Sequence, residues 1–379
     1  MKRISILALI FLSPVAWGVC PNNWTQFHNS NMQRSNPCEM KLTTANVGNL
    51  VQKWFYPTGS WVRGTPAIAA GAVYIGSDDG NVYALKAGKK LWSYQTGLPI
   101  SASPAVANGI VYAGSFNPRP KTPGALYALN TTTGALLWSY PGINVTASPV
   151  VANGVVYVSD GYLYALDAVT GSLLWTVDAG GVRSMPAVAN GIVYIGGSSG
   201  AYSVEAFDAQ TGSLVWSYHT DNNDIVDGSP AVANGIVYIG ADNGYLYALD
   251  ASTGVLLWSY LTGTGDAVWT SPAVANGVVY LCGGNGVVDA LDATTGTLLW
   301  SSTIGGTTSP AWANGVLYVG GEVLVGYRWQ PALFGLDAST GKLLVTRNVK
   351  GGINSSPSVA GGVVYFGADD NRVYAFGLK

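Results

Sequence analysis

Apolar positions along the chain fall in short runs of about four to six residues with no helical period. Four kinds of run recur: Ser-Pro-Ala-Val-Ala, Val-Val-Tyr-Val-Gly, Tyr-Leu-Tyr-Ala-Leu-Asp and Leu-Leu-Trp-Ser-Tyr. β-Branched and aromatic residues dominate them, which predicts strands. Asn-Gly or Asp-Gly joins many neighbouring runs, a strong signal for tight antiparallel hairpins. Within a run the apolar residues are nearly continuous and do not alternate, so sheets covered on both faces are expected.

The set of four runs repeats. The proline of the first run falls at Pro66, Pro104, Pro149, Pro186, Pro230, Pro272, Pro310 and Pro357, at spacings of 38, 45, 37, 44, 42, 38 and 47 residues. Four antiparallel strands per unit of this length predict a β-propeller blade. The last unit stops at Lys379 after its third run, and the missing fourth run stands at the other end as Leu50 to Tyr56. Pairing the two would close the ring and remove its sheet edges. The expected fold is all-β: one eight-bladed propeller over residues 50–379, closed by an N-terminal strand. Length alone, 379 residues, would have suggested two or three domains.

Composition narrows the class. Charged residues are 10 % against about 25 % in ordinary soluble domains, and 48 % are hydrophobic, which excludes intrinsic disorder. The 50 glycines do not recur every third residue, which excludes collagen, and a net charge of −2 speaks against nucleic acid as a partner. Met1-Lys2-Arg3, the apolar stretch Ile4 to Val15 and the small residues Ala16 and Gly18 read as a signal peptide over 1–18, cleaved before Val19. That stretch is too short to span a bilayer, and later apolar runs are all interrupted, so no transmembrane segment is expected. A monomer in the periplasm or secreted medium follows, with residues 19–49 as an extension. Cys20 and Cys38 in that extension are expected to pair in an oxidising compartment, Val19 disfavouring a lipid-modified Cys20. Cys282 replaces a glycine of its sister repeats and reads as a small buried thiol.

A stereotyped element joins the third and fourth runs: Ala-Leu-Asp-Ala-x-Thr-Gly-x-Leu-Leu-Trp, at 165–175, 248–258 and 290–300, with variants at 128–138 and 206–216. It resembles the tryptophan-docking motif of the pyrroloquinoline quinone (PQQ) repeat family. The lead-in is similar too: Trp24, Phe27, Arg34, then Leu42 to Val47 and Leu50 before Trp54. The resemblance implies an eight-bladed propeller. It spans quinoprotein alcohol dehydrogenases, non-catalytic scaffolds such as the outer-membrane assembly propeller, and a few hydrolases.

Repeats carry function where they differ. The Asn-Gly and Asp-x-x-Thr-Gly turns share one face and hardly vary. The opposite face carries two long connections, one from Ser115 through Arg119 to Lys121 and one from Glu322 to Pro331 with Tyr327, Arg328 and Trp329. Three residues before each proline the identity is free: Arg63, Ser101, Thr146, Arg183, Asp227, Trp269, Thr307 and Asn354. Eightfold symmetry should gather these around the channel mouth. There Arg63 and Arg183 could hold carboxylates and Trp269 could stack on a flat ring. The plainer alternative pairs Arg183 with Asp227 and uses Trp269 as a plug. Asp221 and Asp224 are weak calcium candidates in a segment without a known calcium-loop spacing.

Two functional classes follow. One is a binding scaffold that uses the variable face for a protein or small ligand. The other is a minimal PQQ- and calcium-dependent dehydrogenase of alcohols or sugars; the chain lacks the adjacent cysteine pair common in such enzymes. A hydrolase with Asp227 as acid or base is a third, weaker reading.

Overall fold

A computed structural model describes residues 23–119, 122–180, 184–197, 203–220, 225–263 and 265–379. Eight sheets, each with four antiparallel strands, stand around an axis, and the two-residue strand Ser35–Asn36 adds a parallel fifth to one of them. Blades 1 to 7 cover 67–95, 105–141, 150–178, 187–219, 231–261, 273–303 and 311–348. Blade 8 combines 358–377 with Val51–Pro57, which pairs along Arg372–Gly377 as its outer strand. First strands neighbour one another around the axis, and Ser358–Ala360 lies beside Ala67–Ala69, so the ring is closed.

Blade 5 shows how sequence becomes sheet. Ala231–Ala233 lines the channel, followed outward by Ile236–Gly240, Tyr245–Asp250 and Leu256–Leu261. Asn234 and Gly235 adopt φ of 51° and 76°, the pair of positive values that a two-residue hairpin matched to strand twist requires. The second and third strands are buried throughout their centres, as the continuous apolar runs predicted. The fourth strands differ. Leu256 and Leu257 beside Trp258 are 39 % and 47 % exposed, and the same holds in most blades. Blades diverge from the axis like wedges, so face-to-face burial ends before the outer strand.

The repeated tryptophans join blade to blade. Trp216 of blade 4 donates its indole N–H to the Ala251 carbonyl at 3.0 Å, and a β-carbon at Gly254 would lie 2.5 Å from its ring. The turn beneath is fixed by Asp250, whose Oδ1 accepts from Ser252 and Thr253; the Ser252 hydroxyl, then Thr253, holds this carboxyl below its ordinary range. Blade 7 carries Val345 at this position. The next blade, blade 8, is closed by two chain ends and has no such turn to cover; Val345 packs instead in the cluster of Val47 and Leu50.

Residues 24–36 form a strap across the channel. Trp24 bridges Ile68 of blade 1, and the Thr25 carbonyl accepts from Val106 of blade 2. Gln26 Oε1 accepts from Val151 of blade 3, and Met32 packs beside Val188 of blade 4. The carbonyls of Met32, Gln33 and Arg34 then accept from Val232, Val274 and Trp312 of blades 5, 6 and 7, and Asn36 donates to Val359 of blade 8. One short segment thus touches every blade. Cys38 beyond it is disulfide-bonded; its expected partner Cys20 lies outside the described residues.

Arg34 is the centre of the strap. It is 0 % exposed, with Nε donating to Pro310, Nη1 to Phe27, and Nη2 to Pro357 and Ser309, all at carbonyl oxygens. Its guanidinium lies 4.2 Å from the Phe27 ring centre and 5.6 Å from that of Trp24. Neighbouring His28 is fully buried with neither ring nitrogen hydrogen-bonded, and burial followed by Arg34 pulls its pKa from 6.5 to about 3. A histidine depressed in the folded state stabilises it above its unfolded pKa and loses that contribution as pH falls. We expect urea midpoints to fall between pH 6.5 and about 3, at up to about 1.4 kcal/mol per pH unit, and His28→Leu to flatten that slope. Identical slopes for the two proteins would refute the assignment.

Cys282 has a steric cause. In six other blades a second-strand glycine admits an apolar side chain from the loop entering the next blade: a β-carbon at Gly114 would lie 2.0 Å from Val145. At blade 6 the sizes are exchanged, Cys282 standing in the strand and Gly306 in the loop, with Sγ 3.0 Å from the Gly306 carbonyl. The thiol is free and buried, and burial pushes it up to about 12, which leaves it inert. Gly306→Val alone should cost about 1–3 kcal/mol by overpacking. The double variant with Cys282→Gly should recover most of it in a double-mutant cycle of denaturation midpoints.

Candidate functional site

The strap turns the channel into a funnel open on one face. Its cavity, about 250 Å³, has Phe27 among its lining residues together with two rings of side chains from the segments that enter the first strands. The upper ring is the expected set: Arg63, Ser101, Thr146, Asp227, Trp269, Thr307 and Asn354 all line the cavity. Arg183, the remaining member, lies outside the described residues, so its pairing with Asp227 is not described. The lower ring comprises the residues immediately before the prolines, Thr65, Ser103, Ser148, Met185, Ser229, Ser271, Ser309 and Ser356.

At the rim, Arg63 is already engaged. Its Nε is 3.7 Å from Asp78 Oδ2, and its guanidinium lies 4.3 Å from the Trp61 ring centre. Asp78 also accepts from Ser101 at 2.7 Å. Asn354 donates to Asp369 at 2.6 Å. Burial raises Asp369 above the ordinary carboxylate range against the opposing pull of Arg63 and Asn354. Asp227 is half-buried in the wall. Trp269 lines the cavity and is 62 % exposed, while the strap crosses the channel. Asp78, Asp369 and Trp61 were not among the expected site residues. Asp78 has the sequence pattern of a turn, and the folding of blade 1, where its N–H donates to the Trp61 carbonyl, brings it to Arg63.

Among the described residues no three His, Cys, Asp or Glu side chains gather as a metal site, and Asp221 and Asp224 lie outside them. The described lining contains no histidine or cysteine.

The second expected loop is not a loop. Strands Val316–Val325 and Arg328–Asp337 each run ten residues, paired without a break from Val316↔Asp337 to Val325↔Arg328. Gly326, at φ 64°, opens the two-residue turn and Tyr327 completes it. The alternating β-forming residues Val323 to Val325 and Arg328 to Gln330 explain why a hairpin extends here. Leu324, Val325, Tyr327 and Trp329 are 53 %, 48 %, 104 % and 62 % exposed, and Arg328 is exposed among them. Beside the hairpin an apolar groove of about 320 Å³ is lined by Ile304, Leu324, Trp329, Phe334 and Leu343. In the first expected loop Asn117 accepts from the Arg119 N–H and donates to Thr122, leaving Arg119 exposed; Lys121 lies outside the described residues.

A family model described as "Outer membrane protein assembly factor BamB" matches residues 41–144, 122–319 and 284–379. The chain belongs to this BamB-like, PQQ-repeat family. Among solved structures, BamB from Moraxella catarrhalis is 21 % identical with a TM-score of 0.73, covering 87 % of this chain and 100 % of that one. Quinohemoprotein alcohol dehydrogenase ADHIIG from Pseudomonas putida HK5 is 19 % identical with a TM-score of 0.78, covering 94 % and 80 %. A europium-containing methanol dehydrogenase is 16 % identical with a TM-score of 0.78, covering 94 % and 98 %. At these identities the likeness concerns the fold. No curated protein matches the sequence. No helix among the described residues is long and apolar enough to cross a membrane.

Proposed function

We propose that this propeller is an exported docking scaffold that holds a protein partner on its variable face and serves assembly of the outer membrane. The observation that carries this reading is the blade 7 hairpin, an exposed cluster of Leu324, Val325, Tyr327 and Trp329 added to an otherwise minimal blade in a chain that matches the BamB family. Exposed aromatic and aliphatic side chains beside an apolar groove are the usual anchors of a protein interface. Export rests on the signal-like segment 1–18.

The dehydrogenase reading has less support from the residues present. A quinone needs a flat aromatic floor, whereas Trp269 is 62 % exposed. Arg63, the described candidate for the quinone carboxylates, is paired with Asp78. No adjacent cysteines occur in the chain.

A photo-crosslinking amino acid at Tyr327 tests the scaffold reading in the envelope of the native cell. Position 169 on the turn face, 72 % exposed, serves as control. Discrete crosslinks to an assembly component from 327 and not from 169 are expected. Equal labelling from both, or tight binding of PQQ with calcium and dye-linked alcohol oxidation, would contradict it.

A further inference from the structure

We infer that the base of the funnel is a binding site for a carboxylate, built from the hydroxyls of Ser103, Ser148, Ser229 and Ser309 above the strap. The site lies inside the cavity and does not depend on what the exposed hairpin binds. Each of the four serines is fixed by its neighbour: its Oγ accepts a backbone N–H, from Thr65, Ser103, Met185 and Ser271 respectively, at 2.8 or 2.9 Å. An oxygen held in this way keeps its own proton to donate. None of the four donates to an acceptor among the described residues, and all line the cavity while 7 % exposed or less. Buried donors facing a cavity require acceptors there.

The field beneath has the matching sign. Arg34 is fully buried, bonds only to carbonyl oxygens and has no carboxylate partner among the described residues. Phe27, against whose ring that guanidinium lies, also lines the cavity. A buried cation without a counter-ion is only weakly screened, so an anion close above it is favoured. The serine hydroxyls are neutral donors and Arg34 carries a single positive charge, so a single-charged carboxylate suits the site better than sulfate or phosphate.

The test uses calorimetry and tryptophan fluorescence on the full chain with four probes: acetate, sulfate, the tripeptide Ala-Ala-Ala as free acid, and the same tripeptide as its amide. Saturable binding of acetate or of the free acid is expected, the amide being at least about tenfold weaker than the acid. Acetate alone would identify the source as a small free acid; the tripeptide acid would identify it as a chain end. Ser229→Ala should weaken the bound carboxylate at least about tenfold, and Ser229→Thr, which keeps the hydroxyl, should restore it. No saturable binding up to about 10 mM, an amide or sulfate that binds as well as the acid, or a folded Ser229→Ala with unchanged affinity would overturn the inference.

Discussion

Replacing Arg34 by alanine is expected to lower stability by about 3–5 kcal/mol. Four carbonyl oxygens, on Phe27, Ser309, Pro310 and Pro357, would lose the guanidinium donor in a fully buried site, with Phe27 keeping the Trp24 indole N–H as a second donor. The stacked faces of Phe27 and Trp24 would lose their partner as well. Removing a desolvated cation offsets part of this, so the net loss stays below the sum of the bonds. For a chain of this length the loss corresponds to roughly 5 °C in melting temperature. Lysine should not rescue it, because a point ammonium cannot serve acceptors on three segments that a planar guanidinium spans. A melting temperature within about 1 °C of wild type for Arg34→Ala would show that the strap contributes little.

Trp216→Ala should cost a similar amount, about 3–5 kcal/mol, measured by chemical denaturation. Its indole is 8 % exposed, covers Gly254, donates to Ala251 and lies 5.9 Å from the Tyr194 ring centre. No side chain at Gly254 can refill the space, so a cavity would open between blades 4 and 5. By contrast, Val345→Trp should gain nothing, since blade 8 offers no turn for an indole to cover. A loss below about 1 kcal/mol for Trp216→Ala would mean that adjacent blades hold together by strand burial alone.

Blade number, strand order and the N-terminal closing strand were legible because each rests on a local pattern repeated eight times. Prolines mark the same structural event in every unit, and Asn-Gly turns and tryptophans mark theirs in most, so errors in one are corrected by the others. The upper ring was legible for the same reason: one variable position per repeat, placed by symmetry, puts Arg63, Asp227, Trp269 and Asn354 on one cavity. What the sequence concealed is unique to one place. Residues 24–36 have neither repeat nor periodicity, and their backbone carbonyls, which do most of the bridging, leave no trace in side-chain pattern. The blade 7 hairpin was hidden by a different cause. An insertion between two strands reads as a loop unless its own alternation is followed through Val323 to Gln330. Asp78 escaped because its turn-like surroundings give no hint of an arginine from another segment.

The strap makes the channel a one-sided funnel and leaves the variable face to carry binding. Amide hydrogen exchange tests this most directly, at the N–H groups of Val106, Val232, Val274 and Trp312, which donate into the strap. If residues 24–36 thread the channel as described, these amides should exchange only through global unfolding, as slowly as the central strands. Exchange of these four within minutes, while Tyr238 and Tyr280 stay protected, would contradict it.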